Sequence, residues 1–269
     1  MKTWWLVAML LLGAPAVGDE TRLEYILSGD HRSADNKARD RYRHPAQTLA
    51  FFGVEPDMTL VEIWPGGGWY TEILAPYLRK EGKLYAAHFS PDSSRDYFRQ
   101  SRKTFLEKLE ADPAHYDRVE VTRFDPPKET GIAPPASADR VLTFRNVHNW
   151  YMRGGGKERL SAAFDSFYTA LKPGGILGIV DHRLPGDRPL ADQEESGYMR
   201  QDYVIEQAEA AGFELVAKSA INNNPRDTAD HPAGVWTLPP SLRLDEENRE
   251  HYKAIGESDR MTLKFVKPK

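Results

Sequence analysis

Apolar and polar positions along the 269-residue chain fall into blocks that predict a regular succession of strands and helices. Residues 21–29 carry a short apolar pattern (Leu23, Ile26, Leu27), and the very polar stretch 30–44 reads as a solvated helix. Pro45 then opens a helix over 46–52 that Gly53 ends, because proline presets the first helical turn and glycine accepts the left-handed cap. Residues 59–63, Thr-Leu-Val-Glu-Ile, form the first strand; glycines and an amphipathic segment, 70–80, follow. A second strand is predicted over 83–89. Ser93, with Asp96 three residues on, reads as a capping box opening a helix that runs to Glu110. Further strands are predicted at 119–124, 140–144, 176–180, 213–219 and 261–266, with helices over 157–171 and 201–211. A long loop, 220–242, and a charged helix precede the last strand.

Strands alternating with helices of this length imply βαβ units, and so a mostly parallel sheet with helices on both faces. The last strand follows a long excursion rather than a crossover helix, which accommodates an antiparallel strand. The expected class is therefore α/β: a doubly wound sheet of seven strands, mostly parallel, with an antiparallel last strand. No repeat or linker divides 19–269, so one domain is expected. It carries extra N-terminal helices within 21–53, and 220–242 forms an ordered cover on the substrate side, since a loop this long in a compact domain is usually functional.

The N-terminus adds a compartment. Lys2 precedes an apolar run from Trp4 to Leu12, then small residues up to Gly18 and the acids Asp19 and Glu20. That pattern describes a secretory signal peptide, residues 1–18, too short to cross ~30 Å of hydrocarbon as an anchor. The expected location is periplasmic or secreted, with no stable membrane insertion once the leader is removed. The chain has no cysteine, which excludes disulfides, thiolate metal sites and cysteine nucleophiles. A net charge of −4, with acids and bases interleaved, gives no reason to expect nucleic acid or an anionic membrane as partner.

In an open doubly wound sheet, ligands bind beyond the carboxyl ends of the strands. The first strand runs into Glu62-Ile63-Trp64-Pro65-Gly66-Gly67-Gly68-Trp69-Tyr70. Successive glycines let backbone approach a ligand where a Cβ would block it, and the following helix aims its free amides at the same place. The spacing is not that of a phosphate-binding loop, which needs a lysine and a hydroxyl after the glycines.

Strand, acid, glycine turn and helix in this order resemble the first motif of class I S-adenosylmethionine-dependent methyltransferases, which have a Rossmann-like sheet. The resemblance continues through the second strand, Asp125 after the third, Thr143-Phe144-Arg145-Asn146-Val147-His148-Asn149-Trp150 after the fourth, and Lys172-Pro173-Gly174-Gly175 before the fifth. Within the superfamily, the string from Glu62 to Glu72 is most similar to a group of predicted bacterial methyltransferases. The resemblance implies S-adenosylmethionine as cofactor. Gly66, Gly67 and Gly68 would lie against its amino-acid part, Glu62 would arrange the turn, Asp125 would face the adenine amino group, and Arg145 and Asn146 would line the pocket floor. Two cofactor positions depart from the superfamily. Trp64 stands where glycine is usual, and His88 replaces the acid that grips the ribose hydroxyls, offering one hydrogen bond in place of a bidentate carboxylate.

The superfamily often orients or deprotonates the acceptor from the loop after strand four, so His148 and Tyr151 are candidate catalytic residues; histidine bonding to its own loop is the plainer alternative. His182, after Asp181 at the end of strand five, is a third. His88, His148 and His182 could converge on a metal, but no short ligand spacing such as His-x-x-x-His supports one, and none is expected. Residues 39–44, Arg-Asp-Arg-Tyr-Arg-His, read as a solvated helix face, and a patch for an acidic substrate is the sharper alternative. The absence of a Gly-x-Ser-x-Gly elbow removes the main sign of esterase chemistry. The function expected is methyl transfer to a small-molecule acceptor. The alternative is an exported binding protein that kept the fold and lost the cofactor.

Overall fold

The computed structural model describes residues 17–244, 246 and 248–269. Its sheet grows outward from β1 (Thr59–Ile63), in which every residue after the first is buried. β2 (Lys83–His88) and β4 (Ala138–Phe144) flank β1 in parallel, and β3 (Val119–Arg123) lies parallel outside β2. β5 (Leu171–Leu184) continues the parallel set beside β4. A two-residue β6 (Met199–Arg200) pairs with the far end of β5. β8 (Arg260–Val266) inserts antiparallel between β5 and β7 (Glu214–Ser219), so the order is β3-β2-β1-β4-β5-β8-β7. Seven of the eight strands are those expected, and the antiparallel strand is the last. The order reverses between β1 and β4, which opens a crevice at their carboxyl ends.

Side chains alternate across the strands, and each face collects its own core. Val61, Val141, Ile179 and Leu263 pack on one face with Phe164 and Phe167 of α9 (Gly156–Ala170) and Val204 of α10 (Gln201–Ala210). Leu60, Leu84, Leu142 and Val180 pack on the other with α4 (Pro45–Phe52), α5 (Thr71–Leu78) and α6 (Asp96–Ala111). Each apolar side chain so removed from water contributes about 1.5–3 kcal/mol before entropy is charged against it.

Three expectations are corrected. Ser93 does not cap α6: Arg95 is its N-cap, and the Ser93 hydroxyl instead accepts the Arg95 amide two residues on, closing a local turn. β5 starts well before residue 176, where Leu171 pairs with Ala138 of β4, and runs on to Leu184, because its outer half has β6 and β8 as partners. The stretch 30–44 is two short helices, α2 (Ala34–Lys37) and α3 (Asp40–Arg43), and it is not simply solvated. Arg32 is buried in a two-bond pair with Asp40 (2.7 and 2.8 Å), and Arg43 is buried as well. The leader lies outside the described residues except for Val17 and Gly18, which begin α1 (Val17–Ser28). Among the described residues no helix is long and apolar enough to cross a membrane.

Candidate active-site cleft

The turn after β1 opens on a cleft of about 740 Å³ at the carboxyl edge of the sheet. Gly66 and Gly67 line it, and a Cβ built on either would meet nothing within 4 Å, so their backbone is bare to a ligand. Gly68 does a different job. At φ 81° it bends the chain into α5, and a Cβ there would come within 3.1 Å of Phe105, so its smallness serves packing. Glu62 sits behind the turn, fully buried, and accepts the Thr71 hydroxyl at 2.7 Å, joining strand end to helix start. Burial pushes its carboxyl up to about 7, against the opposing pull of Thr71 and of Lys108. Lys108 also bonds the Gly67 carbonyl at 3.1 Å and pairs with Glu72. The N-terminal segment closes the same edge: Trp69 donates its indole N–H to the Asn36 carbonyl at 3.0 Å.

Trp64, at φ 45°, holds the left-handed conformation that suits the glycine usual at this position. Its indole turns toward the ends of β2 and β3, donates to the Phe124 carbonyl at 2.8 Å, and lies 4.7 Å from the Phe89 ring and 5.4 Å from that of Trp150. His88 does not reach the cleft. Its Nδ1 accepts the Phe89 amide (2.8 Å), so Nε2 carries the proton and donates to the Gly66 carbonyl (3.1 Å). Burial, with a smaller push from Arg102, lowers its pKa to about 4 and keeps it neutral. Asp125 is also engaged elsewhere, in a 3.0 Å pair with Arg159, and is not part of the cleft wall.

The other side of the cleft is built on β4, β5 and α8 (Val147–Tyr151). The Asp181 carboxylate accepts His148 Nδ1–H at 2.9 Å and the backbone amides of His148 and His182 at 3.0 and 2.8 Å. That arrangement fixes the His148 tautomer and leaves the Nε2 lone pair for the cleft, which His148 lines. His182 lines it too; its Nδ1 shares a hydrogen bond with the Ser258 hydroxyl. Burial, then the neighbouring His148 imidazole and the charges of three arginines, hold His182 far below the usual imidazole range, so it stays neutral. One ligand atom from each of His148, Asp181 and His182 lies within 4.8 Å of the others, a spacing a metal could use. Arg145, Arg260 and Arg43 beside them oppose a dication. Asn146, bonded to the Ile63 carbonyl at 2.8 Å, and Arg145 line the cleft, whereas Tyr151 packs on Tyr203 and does not. From the late loop, Val235, Trp236, Pro239 and Pro240 complete the wall.

No family model and no curated protein matches the chain. Solved structures do. An S-adenosylmethionine-dependent methyltransferase from Aquifex aeolicus superposes with a TM-score of 0.57 at 14% identity, over 92% of this chain and 98% of that one. A protein from Galdieria sulphuraria, described as a sarcosine dimethylglycine methyltransferase, gives 0.56 at 13%, over 93% and 98%. The chain has the fold of S-adenosylmethionine-dependent methyltransferases. The [4+2]-cyclase SpnF also superposes, with a TM-score of 0.55 at 15% identity over 93% of both chains. One neighbour of this methyltransferase fold is thus named for a cyclisation, and the fold alone does not select the reaction.

The two halves of S-adenosylmethionine would meet different receptions in this fold. At the amino-acid end the cleft is open, with bare Gly66 and Gly67 and the nearby guanidiniums of Arg39 and Arg43. Where the adenosine half would lie the chain's own groups are committed: the Trp64 indole takes the apolar space beyond the ends of β2 and β3, and His88 and Asp125 are turned to protein partners. The positions that the resemblance gives to the methionine half are therefore open, and those it gives to the adenosine half are taken up by the chain's own contacts. Sequence reasoning placed Glu62, Trp64, Gly66, Gly67, Arg145, Asn146, His148 and His182 among site residues, and the fold brings all eight to one cleft. It passed over Arg39 and Arg43; the acidic-substrate reading of residues 39–44 was their one signal.

Proposed function

We propose that the protein is an S-adenosylmethionine-dependent methyltransferase acting on a small-molecule acceptor. One observation carries this reading: the bare backbone of Gly66 and Gly67 opens on the same cleft as a histidine whose Nδ1–H is held by a buried carboxylate. When bound, the donor supplies a methyl group already activated on a sulfonium. The chain's own contribution is alignment, proton removal and exclusion of water. His148 Nε2 takes the acceptor proton, and Asp181 steadies the imidazolium that forms. Trp236 and the prolines of the late loop keep water from the reacting groups. Seating the adenosine half would require the Trp64 indole to give up its bond to the Phe124 carbonyl.

Calorimetric titration with S-adenosylmethionine and S-adenosylhomocysteine tests this directly, on the native protein and on Trp64→Gly. Measurable binding to the native protein is expected, at least tenfold tighter in the variant, which no longer has to displace an indole (~1.4 kcal/mol). Heat from neither protein with either ligand sinks the reading. Binding to Trp64→Gly alone selects a second one, an exported binding protein that kept the fold and lost its cofactor. Trp64, His88 and Asp125, all satisfied by the chain itself, favour that alternative, as does export away from the cytosol where the donor is made.

Export is part of the proposal and rests on the leader, residues 1–18. The intact mass of protein recovered from the periplasm or medium should begin at residue 17 or 19. A chain still starting at Met1 and confined to the cytosol contradicts it.

A further inference from the structure

A second cavity, of about 580 Å³, shares no lining residue with the cleft. It lies between Arg41, Tyr42 and His44 of the N-terminal segment, residues 222–226 at the start of the late loop, and the short helix Arg249–Ile255 with the turn after it. Glu257 and Ser258 stand between the two cavities. Both line this one, while the Glu257 carboxylate holds Arg39 and Arg43 of the cleft wall and the Ser258 hydroxyl bonds His182. The walls are fixed by the chain's own bonds. Asn222 donates its side-chain amide to the hydroxyls of Thr48 and Thr262 at 3.1 and 3.0 Å, and Asn224 donates to the carbonyls of Ile255 and Glu257 at 2.9 and 2.7 Å. Tyr42 packs so closely on Gly256 that a Cβ there would come within 2.7 Å of its ring. The cavity is thus preformed, and a ligand entering it has little of the chain to order.

Its lining is basic. Arg41, Arg226 and Lys253 come to it from three different segments, and each is exposed to solvent. Among the described residues no acid pairs with Arg226 or with Arg41, whose guanidinium bonds the Tyr42 hydroxyl. Lys253 pairs with Glu250 at 2.7 Å, an exposed contact that holds little energy. Glu257 is the one acidic side chain of the wall among the described residues, and the guanidiniums of Arg39, Arg43 and Arg260 already outweigh its charge. Cations converging with no free acid among them give the cavity a positive potential, and a guanidinium fork matches the two-oxygen edge of a carboxylate or phosphate. We infer that this cavity is a second ligand site, for a small molecule carrying two or more negative charges on oxygen, as di- and tricarboxylates and phosphate monoesters do. A pocket of this size takes one head group, and a net charge of −4 does not favour a polymer such as nucleic acid. The site lies outside the cleft and is independent of the function proposed above.

The full chain is titrated with citrate and with inorganic phosphate at constant ionic strength held by sodium chloride, following heat and melting temperature. The native protein should bind at least one of them and melt higher with it, and the tighter of the two identifies the head group. Arg41→Gln and Arg226→Gln, both at exposed positions, should each weaken binding roughly three- to tenfold and leave the anion-free melting temperature unchanged. Ala254→Trp, which fills the cavity from an exposed position without altering charge, should abolish binding. Arg153→Gln, on the wall of the cleft, should bind as the native protein does. Absence of binding to the native protein overturns the inference. So does binding that survives Ala254→Trp, or that falls with Arg153→Gln as much as with Arg226→Gln, since the anion would then sit elsewhere. Undiminished binding by both Arg41→Gln and Arg226→Gln overturns it too, because the cations would then play no part in recognition.

Discussion

Glu62 shows how far one environment can move one residue. Its carboxyl is buried between β1 and α5 with the Thr71 hydroxyl as partner, and burial raises its pKa from the usual 4.5 to about 7. Between those two values the folded state holds a proton that the unfolded state has released. Stability from this group is therefore full below pH 4.5 and lost as pH rises through 7. Glu62→Gln keeps an acceptor for Thr71 and removes the titration. It should be more stable than the native protein at pH 8, by on the order of 2–3 kcal/mol, and differ little at pH 5. Urea melts at the two pH values check this; identical pH dependence in both proteins would rule it out. Residue types also set how much could be read in advance. A strand, an acid and three glycines announce a ligand turn in one dimension. The role of Arg43 could not be read, because its partner Glu257 lies 214 positions away and mixed charge along a chain looks the same solvated or buried.

At the scale of elements, the late loop behaves as a fastened cover. Val235 donates its amide to the Ser196 carbonyl at 2.8 Å, and Gly234, at φ 57°, approaches so closely that a Cβ would sit 2.2 Å from that oxygen. Arg243 and Arg153 flank the Trp236 ring at 4.8 and 5.7 Å, holding it over the cleft. Gly234→Ala should cost about 1–3 kcal/mol through overpacking and left-handed strain, and should free the cover. Limited proteolysis would then cut within 220–242 faster than in the native protein; unchanged cleavage would show that the clasp does not hold the loop. Sequence pattern located this loop, and its length and proline content suggested an ordered cover. The contact that orders it joins residues 196 and 235, which no local pattern records.

Across the whole molecule, Glu257 ties together the two ends of the chain. It receives Arg39 and Arg43 from the N-terminal helices and Arg260 from the start of β8. Burial alone would raise its pKa, yet Arg260, Arg43, Arg145 and Arg39 together hold it well below the usual carboxylate range. Its contribution is thus present above pH 4.5 and lost as pH falls below it. Glu257→Gln strips a buried cluster of its bonded acid and should destabilise the protein by about 3–5 kcal/mol. Guanidinium melts at pH 7 check it, and a loss under about 1 kcal/mol would mean the arginines find other partners. What the sequence determined by itself was whatever depends on neighbours along the chain. The period of apolar residues set the strands and helices, alternation of the two set a mostly parallel α/β sheet, and the glycine run set where that sheet bends open. Tertiary structure decided what depends on distant residues meeting: that the Trp64 indole lies against Phe124, that Asp181 orients His148, and that three arginines share Glu257. Hydrophobic periodicity is a local property of a chain. Charge balance and cavity shape belong to the volume that the folded chain encloses.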